Sequence, residues 1–455
     1  MIRMRDWLRG CENVGDLVRH RFSWQCLALL AATLAFSPVS QAQTEKRAVI
    51  AGHVAHFDAA GHLLPWISWI TALGREMLFY QQCPSDHGYP RFVTETFLEA
   101  DWSLVADRRD TIPAMQNGMG ILSYLKLYGL RDRRDAIYLD TARAMGDYLV
   151  REALTPALGR YPRFTRSTGT RGQFPLAADA GSQGDHPYEI EPDKGGIAGY
   201  ALVLLFEASG ERKYLEQGLQ NARVLAANQQ PGDGSHSPWP FRADYRTAAG
   251  RGPVSGNMTY ILRLYDALQA HGYTEFTVPR RALWSWIKHY QIPSAAADGA
   301  LFAQFFEDHD VPTNRTAWAP LNLARYLLER RAALEPHWRT DAGALMHFVR
   351  RTFTHLEFGV RVCHEQDEDR EAWGGVNSTY GAVLALYARV VGSAALASEA
   401  RQALNFTLYS IDDAGRPRDL FKRALPGGWQ QDAHTDVIHN YVDALRAFPA
   451  WAETH

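Results

Sequence analysis

Glu371 stands two residues before Trp373 and four before Gly375, in the stretch "EAWGGVNSTYGAVLALYARVVG" (371–392). A carboxyl beside an indole at the mouth of an apolar helix suits a general acid, because burial against the ring favours its protonated form. Two further sets of acids precede apolar runs. "YEIEPDKGG" carries Glu189, Glu191 and Asp193; "QQDAHTDVIHNY" carries Asp432, His434 and Asp436. Hydrolysis of a glycosidic bond uses two carboxyl groups, one on each side of the bond that breaks. Glu371, Asp193, Asp432 and His434 are therefore the catalytic candidates. Each has a plainer reading too. An acid at a helix start can cap the helix or face its dipole, and a histidine can be a satisfied core residue.

The spacing Asn-x-x-Tyr occurs twice, at Asn257/Tyr260 and Asn377/Tyr380. Three residues apart on a helix, both side chains share a face. β-Elimination from a uronate needs a base and a donor to its carboxylate, roles that Tyr, His, Arg and Asn can fill. A repeated packing and capping element would give the same pattern. Arg242, with Arg246 and Arg251 in the same loop, could hold a carboxylate bidentately. Trp239, Trp373 and Trp429 lie in loops rich in carboxylates and cations. Rings that stack on sugar C–H faces, beside polar groups that fix hydroxyls, suit a carbohydrate. Trp373, Trp239, Arg242, Asn257, Tyr260, Asn377, Tyr380 and Trp429 are the substrate-binding candidates. There is no HExxH, CxxC, P-loop or GxGxxG motif, so no metal, nucleotide or dinucleotide cofactor is expected. The run Glu365, Asp367, Glu368, Asp369 lacks the glycine and ligand spacing of a calcium loop and reads as an exposed acidic stretch.

These residues need a scaffold, and the periodicity predicts one. Twelve helices are expected, at 64–82, 112–129, 134–150, 195–210, 211–230, 255–272, 276–290, 316–331, 337–353, 375–391, 393–409 and 436–448. They alternate in character. One set is rich in Gly and Ala, apolar all round, with small polar residues at its starts. The other set is amphipathic. Helices apolar all round belong inside and amphipathic ones outside. Short links follow each inner helix, several at a glycine, as tight αα-hairpins require. Long links follow each outer helix. This pattern predicts an all-α (α/α)6 toroid of six inner and six outer helices, with the long links gathered on one face, where sites are usually built.

The alternating helices, with Tyr138-Leu139-x-x-Ala142 and Tyr214-Leu215 repeats and Trp-rich loops, resemble the six-hairpin glycosidase superfamily and related α/α-toroid polysaccharide lyases. The resemblance spans roughly residues 60–450. It implies a carbohydrate-active enzyme: a glycoside hydrolase first, acting on a glycan that can contain uronate, with a β-eliminating lyase or a non-catalytic glycan-binding toroid as alternatives. No family motif transfers catalytic residues. "QQPGDGSHSPW" is similar to the Gln/Gly/Trp repeats of terpenoid cyclases, but it occurs once and the acidic DxDD motif is missing.

The chain has 455 residues, 48 basic and 50 acidic. That balance gives no basic surface for nucleic acid. Arginines precede the apolar run "CLALLAATLAF" (26–36), and Ser40-Gln41-Ala42 places small residues at a cleavage site. Residues 1–42 are thus expected to be a signal peptide and 43–455 a single toroid domain of a periplasmic or secreted protein. Cys83 and Cys363 would remain after cleavage, either as two unlinked thiols or as a disulfide that would tie the seam of the ring. Nothing in the sequence sets the oligomeric state.

Overall fold

The computed structural model describes residues 48–96, 98–99, 101–103, 112–167, 186, 188–306, 311–372, 374–418 and 430–452, the side chains of 430–433 excepted. Twelve helices of ten residues or more occur among them. In chain order they are α1 Trp69–Gln81, α2 Pro113–Leu130, α3 Ala136–Arg151, α4 Pro192–Ser209, α5 Arg212–Asn228, α6 Thr259–Ala270, α7 Thr277–Trp286, α8 Trp318–Arg330, α9 Trp338–Thr352, α10 Gly374–Val391, α11 Ala394–Leu408 and α12 Gln430–Ala447. The even-numbered helices form the inner ring. Each packs beside the next, and α12 returns to α2 to close it. The odd-numbered helices lie outside. This is the (α/α)6 toroid that the alternation predicts.

Composition explains the two rings. Inner helix α4 is buried at nearly every position of its first three turns. Its neighbours come very close. A Cβ on Gly196 would stand 2.5 Å from Ile261 Cγ1 and 3.0 Å from the Ile261 backbone nitrogen, so only glycine lets α4 and α6 approach this far. Outer helix α3 instead buries Leu139, Ala142, Met145, Gly146 and Leu149, one stripe at helical spacing. Truncating a sealed residue of that stripe, Leu149→Ala, would cost about 2–5 kcal/mol. The hairpins turn where expected: Gly210 caps α4 with φ 76°, and Gly392 closes α10 with φ 72°, both left-handed conformations that favour glycine.

Four helix starts differ from the periodicity by three residues or more. Helix α12 starts at Gln430 rather than 436, α4 at Pro192 rather than 195, α6 at Thr259 rather than 255, and α1 at Trp69 rather than 64. Pro192 explains the second case, since proline is well suited to a first helical turn. Sheet is confined to short pieces. β1 (Glu189–Ile190), β2 (Arg242–Asp244) and β3 (Gly250–Arg251) form an antiparallel sheet in that order, tying the link before α4 to the link before α6. β4 (Thr354–Glu357) and β5 (Val360–Cys363) form a hairpin after α9. It joins Ile50, Leu63, Phe406 and Tyr409 in a small second core outside the ring. Cys83 and Cys363 are both free thiols, and the seam disulfide that the sequence left open is not formed. Cys363 is sealed beside α10, where its N–H is taken by Asn377. No helix among the described residues is long and apolar enough to cross a membrane.

Candidate functional site

The inner helices begin on the face that carries the long links, and two groups of charged residues gather there. The first surrounds the start of α4. Lys194 Nζ lies 3.6 Å from Glu191 and 3.6 Å from Asp193, donates to the Phe305 carbonyl, and sits 3.5 Å from the centre of the Phe305 ring. Arg242 lies 3.3 Å from Glu191 and stacks on Phe241. All four charged side chains are fully buried. Among the described residues the knot sets two carboxylates against two cations, and the positive end of the α4 dipole favours the acids. Removing one member of such a buried set costs about 3–5 kcal/mol, because the others lose their counter-charge. Arg242 is therefore committed to Glu191, which corrects its reading as a substrate carboxylate clamp. Asp193 is sealed in the same knot rather than presented to a substrate.

The second group lies where α6, α8, α10 and α12 meet. Trp318, in the first turn of α8, donates its indole N–H to Glu365 Oε1 at 2.8 Å. The adjoining Cζ2–Cη2 edge of the same ring faces Gly375 at the start of α10. A Cβ there would stand 3.4 Å from Trp318 Cζ2 and 3.2 Å from Asp436 Oδ2. Gly375 thus lies against both Asp436 of α12 and the indole. Glu365 at Nε1 and Gly375, with Asp436 beside it, approach adjoining edges of one ring. Glu365 is fixed by its backbone as well as by Trp318. Its carbonyl accepts from the Ala317 N–H at 2.9 Å, Thr316 pairs with Gln366, and Arg315 holds Asp367 at 2.7 Å. Beneath the group sits Tyr260, whose hydroxyl donates to Met119 Sδ at 3.4 Å. Burial holds its phenol well above the ordinary value. Arg325 and Arg263 pull the other way and Asp436 adds to the rise.

Several sequence candidates face elsewhere. His434 is fully buried between α1, α2 and α12. One ring nitrogen lies 3.0 Å from Glu76 and the other 2.8 Å from the Tyr124 hydroxyl, and the ring stacks on Tyr80 at 3.5 Å. Burial lowers its pKa to about 3. It is a satisfied core residue turned towards the outer ring, not a catalytic base at the mouth. Asn377 donates to the Ala403 carbonyl and to Thr407, and accepts from the Cys363 N–H; Tyr380 donates to Glu399 at 2.5 Å. Both therefore fasten α10 to α11 and do not line the mouth. Trp239 is buried with its indole N–H on the Leu225 carbonyl, so it packs rather than stacks a ligand. Glu371 lies part-exposed on the loop between β5 and α10, its N–H donating to Asp369. Trp373 and Trp429, and the side chain of Asp432, lie outside the described residues. Among the described residues no set of three or more His, Cys, Asp or Glu side chains is arranged to hold a metal ion.

The carboxylates that the structure brings together were only partly legible. Asp436 looked like a helix-start residue and Glu365 like part of a solvated acidic run. The available signal was Trp318, a large aromatic in the first turn of an inner helix, where its neighbours carry small polar residues.

No family model matches the sequence, and no curated protein matches it. Solved structures do. A sugar epimerase from a ruminal bacterium aligns at 14% identity and a TM-score of 0.57, covering 81% of this chain and 98% of its own. A family 76 α-mannanase from Bacteroides thetaiotaomicron aligns at 11% identity and a TM-score of 0.54, covering 84% and 96%. A polysaccharide lyase aligns at 8% identity and a TM-score of 0.51, covering 83% and 97%. Three different reactions thus share one architecture, and the fold by itself does not choose among them. This chain has the six-hairpin toroid fold found in these carbohydrate-active enzymes.

Proposed function

We propose that the protein is an exported glycoside hydrolase whose two working carboxyl groups are Glu365 and Asp436. The observation that carries this is that Glu365 holds Nε1 of the Trp318 indole while Asp436 lies beside Gly375, which faces the adjoining Cζ2–Cη2 edge, at the end of the ring where the inner helices start. Cleavage with two carboxyls requires one to protonate the leaving oxygen and the other to act at the anomeric carbon, directly or through water. An aromatic ring beside them suits the apolar face of a sugar. Tyr260 lies nearby as a buried phenol whose pKa burial raises. Two carboxyl groups brought close together are what hydrolysis uses. Export rests on the basic and apolar leader with its small-residue site.

The test is a panel of neutral and uronate-containing glycans, read for reducing ends and for absorbance near 235 nm. Glu365→Gln and Asp436→Asn should each lower turnover by about 10²-fold or more with the melting temperature nearly unchanged. Azide should restore part of the activity to the variant that lacks the nucleophile or base. Turnover within a few-fold of the parent in both variants, or unsaturated products, would remove this assignment.

A further inference from the structure

Asn257 and Asn377 open the same Asn-x-x-Tyr spacing beside inner helices α6 and α10, and the structure treats them differently. Asn377 uses both ends of its amide, on Cys363, Ala403 and Thr407. Asn257 is equally buried, yet neither its Oδ1 nor its Nδ2 has a hydrogen-bond partner among the described residues. Two residues earlier, the Ser255 hydroxyl is in the same condition. The backbone here is firmly held. The Ser255 N–H donates to Ser237 Oγ at 2.8 Å, the Gly256 N–H to the Gln304 carbonyl at 3.2 Å, and Gln291 donates to the Gly256 carbonyl at 2.6 Å. A rigid segment thus carries three polar side-chain atoms that the protein itself leaves unmatched.

Buried amides without partners are strongly unfavourable, so a residue kept for packing alone would be better apolar. Asn257 lies two residues before the start of α6, on the side of the mouth, and Tyr260 in the first turn of α6 lies within electrostatic reach of Asp436. An amide offers a donor and an acceptor side by side, which matches two adjacent hydroxyls on a sugar ring. The surroundings also bear on charge. Ser255, Asn257 and Tyr260 are neutral, and the nearby guanidiniums are engaged. Arg263 binds Glu329 at 2.6 Å; Arg325 binds Asn440 and lies 3.5 Å from Asp443.

We infer that Asn257, assisted by Ser255, reads adjacent hydroxyl groups of a neutral sugar at the mouth, and that the enzyme prefers neutral glycans to uronates. The location rests on the hydrolase reading; the choice of sugar does not follow from it. The experiment is Asn257→Leu, close in volume, made alone and in the Asp436→Asn background. The melting temperature of Asn257→Leu should stay equal or rise, because the unmatched amide is gone. Calorimetric affinity of the Asp436→Asn protein for at least one of cellobiose, maltose and α-mannobiose should exceed that for digalacturonate, and Asn257→Leu should weaken it about tenfold or more. A fall of several degrees in melting temperature would show Asn257 to be a packing residue. Tighter binding of digalacturonate, unchanged affinity in Asn257→Leu, or no binding of any neutral disaccharide would each overturn the inference. None of these depends on which carboxylates cleave, which is read separately from reducing-end release.

Discussion

Two charged groups of the inner ring differ in the company they keep. Where the inner helices start, Glu191 and Asp193 are buried with Lys194 and Arg242, and Glu365 and Asp436 lie by Trp318 and Gly375. Deeper along the helices, Lys126, Arg263 and Arg325 meet Asp443 and Glu329. Lys126 lies 2.6 Å from Asp443 and 3.0 Å from His439, and Asn440 bridges Ser378, Thr379 and Arg325 across the ring. This deeper network ties α2, α8, α10 and α12 together. At the mouth, the knot of Glu191, Asp193, Lys194 and Arg242 ties the start of α4 to the link before α6, and Glu365 is held against the Trp318 indole, near which Asp436 also lies.

This contrast can be broken by paired substitutions. The largest effect should come from the mouth: Asp436→Asn or Glu365→Gln abolishes most turnover and leaves unfolding nearly unchanged, as measured by kinetics and calorimetry on one preparation. In the deeper network, Asp443→Asn should do the reverse. It strips Lys126 and Arg325 of a shared counter-charge and should cost about 3–5 kcal/mol of stability, with kcat/KM of the folded protein within a few-fold of the parent. If Asp443→Asn removes activity while the melting temperature holds, the division between the two groups is wrong. Next in size is Asn377→Ala, which breaks the contacts between α10, β5 and α11 and should cost about 1–3 kcal/mol in denaturant unfolding. Loss much below that would mean that the twin of Asn257 is not the fastening residue described.

A smaller effect concerns acid. His364 lies in the strand-end loop that carries Glu365, and burial, aided by His355 and Arg370, lowers its pKa to about 4. The unfolded chain takes up that proton near pH 6.5, the folded chain only near 4. More protons are then bound by the unfolded state in this window, so the contribution of His364 is complete above about 6.5 and is lost as pH falls towards 4. His364→Gln should flatten that part of the stability–pH curve. An unchanged acid limb would place His364 outside the linkage.

The ring itself was legible because periodicity and composition repeat twelve times, and errors of a few residues at α1, α4, α6 and α12 do not alter the alternation. The site was less so. Asn257/Tyr260 and Asn377/Tyr380 have the same spacing, but one pair turns inward and the other towards α11, because Glu399, Ala403 and Thr407 supply partners that no local pattern reveals. His434 looked equally placed for the mouth until Glu76, 358 positions away, engaged it. The Glu365–Trp318 contact crosses 47 positions and depends on paired loops, so Glu365 seemed only one acid of a charged run.

The central claim is that a sugar is cleaved between Glu365 and Asp436 against Trp318. The most direct measurement is a crystal structure of Asp436→Asn soaked with a neutral oligosaccharide that the parent enzyme cleaves. The account predicts a sugar ring against the Trp318 indole, with Glu365 and position 436 on opposite sides of the glycosidic oxygen. A glycan bound away from Trp318, or against it with both residues beyond reach of the linkage, would contradict it.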